Sequence, residues 1–173
     1  MDPLRSDDAR AMIGYLADIF GKLNCFNCAL RAKKTLVDAK TNVFGFVAKL
    51  ELWRNEVARR DFTSFTRLLQ CVSVSDSVLA VMSDHMRTMI GDFQSRFEDL
   101  EEIDFPDGLT QPLLCSLHGV DRPLQHEMAD LQNDGSAQVI HKSKGQLMWL
   151  NEEIEKKYHF SVTFPALPHI ISC

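Results

Sequence analysis

Residues 15–65 read YLADIFGKLNCFNCALRAKKTLVDAKTNVFGFVAKLELWRNEVARRDFTSF, most of the Tyr15–Leu69 stretch whose reading decides the fold. Its apolar residues recur at spacings of three and four, the period of a helix face and not the alternation of a strand. The expected order is an apolar helix, a break at NCFN, a long amphipathic helix through KLELW, and an aromatic corner at DFTSF. No part of the stretch carries the residue chemistry of an active site.

Upstream, Ser6, Asp7 and Asp8 cap a helix expected over 6–22 and complement the positive end of its dipole. Met12, Ile13, Leu16, Ile19, Phe20 and Leu23 form one stripe for a core. Gly21 and Asn24 weaken the far end, so a bend is expected near NCFN, with Cys25 and Cys28 buried or half-buried in it. From Asn27 to Arg60 the pattern resumes, with Leu36, Val43, Phe46, Val47, Leu50, Trp53 and Val57 on one face. Gly45 costs this helix about 1 kcal/mol relative to Ala and leaves room between Phe44 and Phe46. Asp61 then breaks the pattern and opens a short helix that turns Phe62, Phe65, Leu68 and Leu69 inward.

Downstream, Ser73–Asp76 starts a second long helix that runs to about Leu100, with Val78, Leu79, Met82, Met86, Ile90 and Phe93 on its apolar side. The acidic run EDLEEIDFPDG closes it and reads as a solvated linker without the spacing of a calcium loop. Proline and glycine punctuate 105–123. Three parts follow: a helical bundle over 1–104, an irregular linker over 105–123, and a small helical lobe over 124–173. In the lobe, Leu124, Met128 and Leu131 share a face. QLMWLNEEIEKKY reads as one helix with Leu147, Leu150 and Ile154 inward, and Trp149 and Phe160 capping the lobe. The fold class is mostly α: long antiparallel helices, near 27–59 and 75–102, packed with the N-terminal helix, plus the C-terminal lobe.

At 173 residues, 45% hydrophobic and 25% charged, the chain has the composition of a globular domain. No apolar run approaches the roughly 18 residues of a spanning helix, and MDPLRSDDAR is no secretory leader. An intracellular protein with no membrane association and five free thiols is expected. The net charge of −5 is uneven: residues 1–70 carry 12 Lys and Arg against 8 Asp and Glu, and residues 71–173 carry 7 against 16.

Cys25-x-x-Cys28 has no second close pair of Cys or His to complete a zinc site. The six histidines are scattered. Cys115 with His118 three residues on is no nucleophile–base pair by spacing alone. Gly-rich phosphate loops, GxSxG and SxxK are all missing from the sequence. The expectation is no enzyme, no catalytic residue, no metal, no cofactor and no small-molecule substrate. Lys33, Lys34, Lys40, Lys49, Arg54, Arg59 and Arg60 make residues 31–60 a candidate face for weak nucleic-acid contact.

The order and spacing of these blocks resemble the C-terminal half of proteins derived from hAT-superfamily DNA transposases. General transcription factor II-I repeat domain-containing proteins and zinc-finger BED-domain-containing proteins are examples of that group. Leu16, Asp18, Phe20, Leu23, Asn24, Asn27 and Leu30 match the first family block; Phe46, Lys49, Leu50, Leu52, Trp53, Asp61, Phe62 and Phe65 match the second and third. Arg31-Ala32 replaces the family's Gln-Gly. A further block, Leu124–Asp134, is similar to the family's L-Q-x-E-L-I-x-L-Q-x-D stretch, and Phe160–Ile171 looks like the segment leading to its dimerisation region.

The resemblance implies structural roles for these positions and a helical insertion region. It places the family's catalytic aspartates before Met1 and its glutamate beyond Cys173, and the BED zinc finger has no counterpart here. The resulting expectation is a truncated, non-catalytic, transposase-derived helical module. Such a module would act by protein association or self-association, in the nucleus by resemblance. The alternatives are weak DNA binding through 31–60, or a remnant without independent function.

Overall fold

The computed structural model describes residues 6–32, 35–71 and 73–158. Among the described residues eight α helices follow in chain order: α1 Asp7–Arg31, α2 Leu36–Ala58, α3 Asp76–Arg96, α4 Glu98–Glu102, α5 Asp107–Thr110, α6 Gln125–Asn133, α7 Gly135–Lys144 and α8 Glu152–Lys157. Short 3-10 turns lie at Leu68–Gln70, Leu117–Gly119, Arg122–Leu124 and Gly145–Leu150. Among the described residues there is no strand, and the mostly α fold class holds. The chain divides into two compact units, Met1–Ala32 with Lys40–Glu102, and Lys33–Ala39 with Ile103–Cys173.

In the first unit α1 starts as the sequence indicates, with Ser6 Oγ accepting from the Ala9 amide at 3.2 Å and Asp7 and Asp8 in the first turn. It does not bend at NCFN. The helix runs on to Arg31 and leaves Cys25 and Cys28 exposed on its surface, not in a turn. One helical Gly costs about 1 kcal/mol, and the packing of Phe26 in the core outweighs that cost. The break comes instead after Arg31, where Thr35 Oγ1 accepts from the Asp38 amide at 3.1 Å at the start of α2.

Contacts give the helix directions. Tyr15 meets His85 and Phe26 meets Phe93, so α1 and α3 run the same way. Phe26 meets Phe46 while Lys22 meets Trp53, and Phe46 meets Phe93 while Lys40 reaches Glu101. Helix α2 therefore runs antiparallel to both. The aromatic centre is Phe26, Phe46 and Phe93, with ring centroids 4.5 to 5.4 Å apart, and such pairs add about 0.5–1.5 kcal/mol each beyond their buried area. Val43, Phe46, Val47, Leu50 and Val57 are buried and Trp53 is half-buried, the face that period three-and-four spacing marked.

Four residues depart from the packing that the sequence suggests. Ile13 and Phe20 are 54% and 62% exposed, because the buried face of α1 is turned toward Ala11, Tyr15, Ile19 and Phe26. Leu69 is 56% exposed: the 61–70 segment is a set of turns ending in a 3-10 turn, so only Phe65 and Leu68 of the four expected side chains are fully buried. Gly45 is exposed, and a Cβ there would touch nothing within 4 Å, so its role is not close packing of Phe44 and Phe46.

The second unit has its own core of Leu109, Met128, Leu131, Ala137, Met148, Trp149, Ile154 and Tyr158. Segment 105–123, read from sequence as an irregular linker, holds α5 and a 3-10 turn, and contributes Leu109 to this core. Trp149 Nε1 donates to the Leu109 carbonyl at 3.0 Å in the buried interior. Asp134 caps α7 through the Ser136 amide at 2.8 Å and also accepts from Lys157 Nζ at 2.6 Å and the Tyr158 hydroxyl at 2.8 Å. QLMWLNEEIEKKY is not one helix. A 3-10 turn, with three residues per turn, ends at Asn151, which caps α8. That change of pitch buries Met148 and Trp149 and leaves Leu150 46% exposed. Phe160 and the following tail lie outside the described residues.

Candidate binding groove between the first two helices

Asp18 sits on the inner face of α1 and is only 6% exposed. It accepts the backbone amides of Arg67 and Leu68 at 2.8 and 3.1 Å, Arg67 Nη1 at 3.2 Å and Thr66 Oγ1 at 3.5 Å. These bonds hold the chain after DFTSF across the side of α1. One turn earlier, Gly14 permits the approach: a Cβ there would lie 3.2–3.3 Å from the backbone of Arg67 and Leu68.

Between α1 and α2 this arrangement leaves an open groove of about 800 Å³. Phe26, Phe46 and Trp53 supply apolar wall, Gly21 and Gly45 leave it unobstructed, and Lys22, Lys49 and Arg67 surround it with positive charge. Lys22 Nζ lies 4.2 Å from the centroid of Trp53 and 5.0 Å from that of Phe65, in cation–π contact. Burial pushes the Lys22 ammonium below its ordinary value, against the opposing attraction of Asp18, Glu56 and Cys25. Asn42 also lines the groove, and its buried Nδ2 donor has no hydrogen-bond partner among the described residues. Buried donors are paired in the great majority of cases, which makes this amide an exception in the wall of the groove.

The sequence-marked residues distribute unevenly around this groove. Asp18, Trp53 and Lys49 line it. Leu50 and Phe65 are buried beneath, and Leu16, Leu23 and Phe62 pack half-buried against the same core. Phe20, Asn24 and Asn27 face outward. Of the basic residues, Lys33 and Lys34 lie outside the described residues. Lys40 Nζ donates to the Glu101 carbonyl at 2.8 Å, and Arg60 donates to the Val74 carbonyl at 2.7 Å and to Asp76 at 2.6 Å. Lys40 and Lys49 are nine residues apart on α2, which at about 100° per residue turns them to opposite sides. Among the described residues, Lys40 and Lys49 therefore do not share one face of α2. Gly14 and Asn42 carried no signal in the sequence; a glycine and an asparagine inside a helical pattern show their contacts only when the neighbouring chain is in place.

Among the described residues no group of three or more His, Cys, Asp and Glu is placed to hold a metal ion, and no helix is long and apolar enough to cross a membrane. Cys115 donates to the Pro112 carbonyl at 3.5 Å and neighbours Gln132 Nε2; burial pushes its thiol up, away from the reactive thiolate. No protein-family model matches the chain, and no solved structure matches it.

Proposed function

We propose that this chain is a non-catalytic, transposase-derived helical module that works by protein association, with the α1–α2 groove receiving an acidic, apolar-anchored segment of a partner protein. The groove chemistry carries the reading. Lys22, Lys49 and Arg67 surround aromatic wall, and the one lining carboxylate, Asp18, already holds the Arg67 and Leu68 amides. A partner carboxylate would meet the Lys22 or Lys49 ammonium while an apolar side chain rests on the half-buried Trp53. That is the pattern of helix-in-groove recognition. The transposase-derived origin and a nuclear setting are supported by the order of the sequence blocks.

Isothermal titration of the full chain with a synthetic acidic amphipathic peptide tests this, with duplex DNA in parallel. Peptide binding that weakens on Lys49→Glu, with no heat from DNA, is expected. DNA binding with a steep salt dependence and no peptide binding would favour the alternative of a nucleic-acid face. Divalent-metal-dependent cleavage or joining of DNA would overturn the non-catalytic reading.

A further inference from the structure

Helix α1 carries more apolar surface than its own core covers. Its first face, Ala11, Tyr15, Ile19 and Phe26, is buried. A second stripe follows a strict heptad: Ile13, Phe20 and Asn27 at one position, and Leu16, Leu23 and Leu30 three residues after each. In this stripe Ile13 and Phe20 are 54% and 62% exposed, Asn27 is exposed, and the three leucines are half-buried with their inner sides on the core. An apolar seam repeating every seven residues is the pattern by which helices pair, and it differs from the single core-facing stripe of a surface helix.

We infer that a second copy of this chain covers the stripe, the two α1 helices pairing as a short, parallel, two-stranded coiled coil with Asn27 facing Asn27. Three observations fix the occupant. A polar Asn at a single seam position specifies register and oligomer state at a cost in stability. Arg10 and Arg31, both exposed, flank opposite ends of the seam; an antiparallel pair would set them against each other as like charges, and a parallel pair separates them. The seam, Ile13 to Leu30 of α1, gives about 27 Å of contact at 1.5 Å per residue, about two and a half heptads, which suits a dissociable dimer in place of an obligate one. The inference deepens the reading of the chain as an association module. A monomer that still takes up the acidic peptide removes the dimer and leaves that reading intact.

Sedimentation equilibrium of the full chain under reductant, from roughly micromolar to roughly millimolar protein, tests it. A monomer–dimer equilibrium is expected, weakened roughly tenfold or more by Phe20→Glu, with the helical circular dichroism unchanged. Leu52→Glu, an exposed apolar position on α2, leaves it unchanged. A monomer at all concentrations overturns the proposal, as does a dimer lost on Leu52→Glu but kept on Phe20→Glu. Orientation is read with Asn27→Cys in a chain whose own cysteines are changed to Ser. A disulfide-linked dimer on mild oxidation supports the parallel register, and a dimer that does not cross-link contradicts it.

Discussion

The carboxylate of Asp18 accepts the backbone amide of Leu68 at 3.1 Å across fifty residues of chain, and both groups are buried. This bond, with its neighbour to the Arg67 amide, fixes the return of the chain from α2 past α1 and so sets where α3 begins. Removing the acceptor strands two buried donors, each costing about 1–3 kcal/mol. Asp18→Ala is expected to destabilise the first unit by about 3 kcal/mol in urea unfolding, and Asp18→Asn, which keeps one oxygen, by about half that. Equal small losses for both would contradict the role given to Asp18.

Gly14, Gly21 and Gly45 separate cleanly by what a methyl group would meet. At Gly14 it meets backbone at 3.2–3.3 Å, held in place by Asp18, and at Gly21 and Gly45 it meets nothing within 4 Å. Gly21→Ala and Gly45→Ala should each stabilise by up to about 1 kcal/mol through helix propensity. Gly14→Ala should lose about 1 kcal/mol, overpacking outweighing that gain. Thermal melts of the three variants check the difference in sign.

Arg60 holds a left-handed conformation, φ +60°, at the end of α2, where the Asp61 amide reaches the Glu56 carbonyl at 2.9 Å. Its guanidinium then ties Val74 and Asp76 to this corner. Arg60→Gly loses the tie and gains backbone ease, whereas Arg60→Ala loses the tie and keeps the strain. Arg60→Ala should therefore be less stable than Arg60→Gly by about 1 kcal/mol, measured by denaturant midpoint.

Asp134 gives the second unit an acid-sensitive joint. Its carboxyl is held well below the usual carboxylate range, first by the hydrogen bond from Lys157, then by that from Tyr158, with the Ser136 and Ala137 amides adding to them. A depressed folded-state value means the contribution is present above the unfolded carboxylate value, about 4, and is lost as pH falls through the folded one. Buried Trp149 belongs to the same core. Its fluorescence in urea titrations should show stability dropping below about pH 4, and Asp134→Asn should flatten that drop. An unchanged slope in the variant would remove Asp134 as its cause.

How far the sequence carried this picture depends on what each signal measures. Helix α2 was legible because its buried residues, Val43 to Val57, sit on one narrow face with charges around it. Helix α1 was half legible: Ile13 and Phe20 join the core stripe at spacings of three and four, and periodicity cannot tell one wide face from two adjacent ones. The continuity of α1 past Cys25 and Cys28 was hidden because propensity at Gly21 and Asn24 is weak beside the burial of Phe26. Residues 145–150 misled by pitch, since a 3-10 turn shifts which side chains face inward. The groove itself was not legible. Asp18 stood out only as a family-block position, and its partners lie about fifty residues away.

The most direct test of the proposed association role is an amide chemical-shift map of the ¹⁵N-labelled full chain titrated with the acidic amphipathic peptide. Expected are saturable shifts clustered at Lys22, Asn42, Lys49 and Trp53, suppressed by Lys49→Glu. Shifts that fail to saturate, or that cluster away from the α1–α2 groove, would contradict the claim.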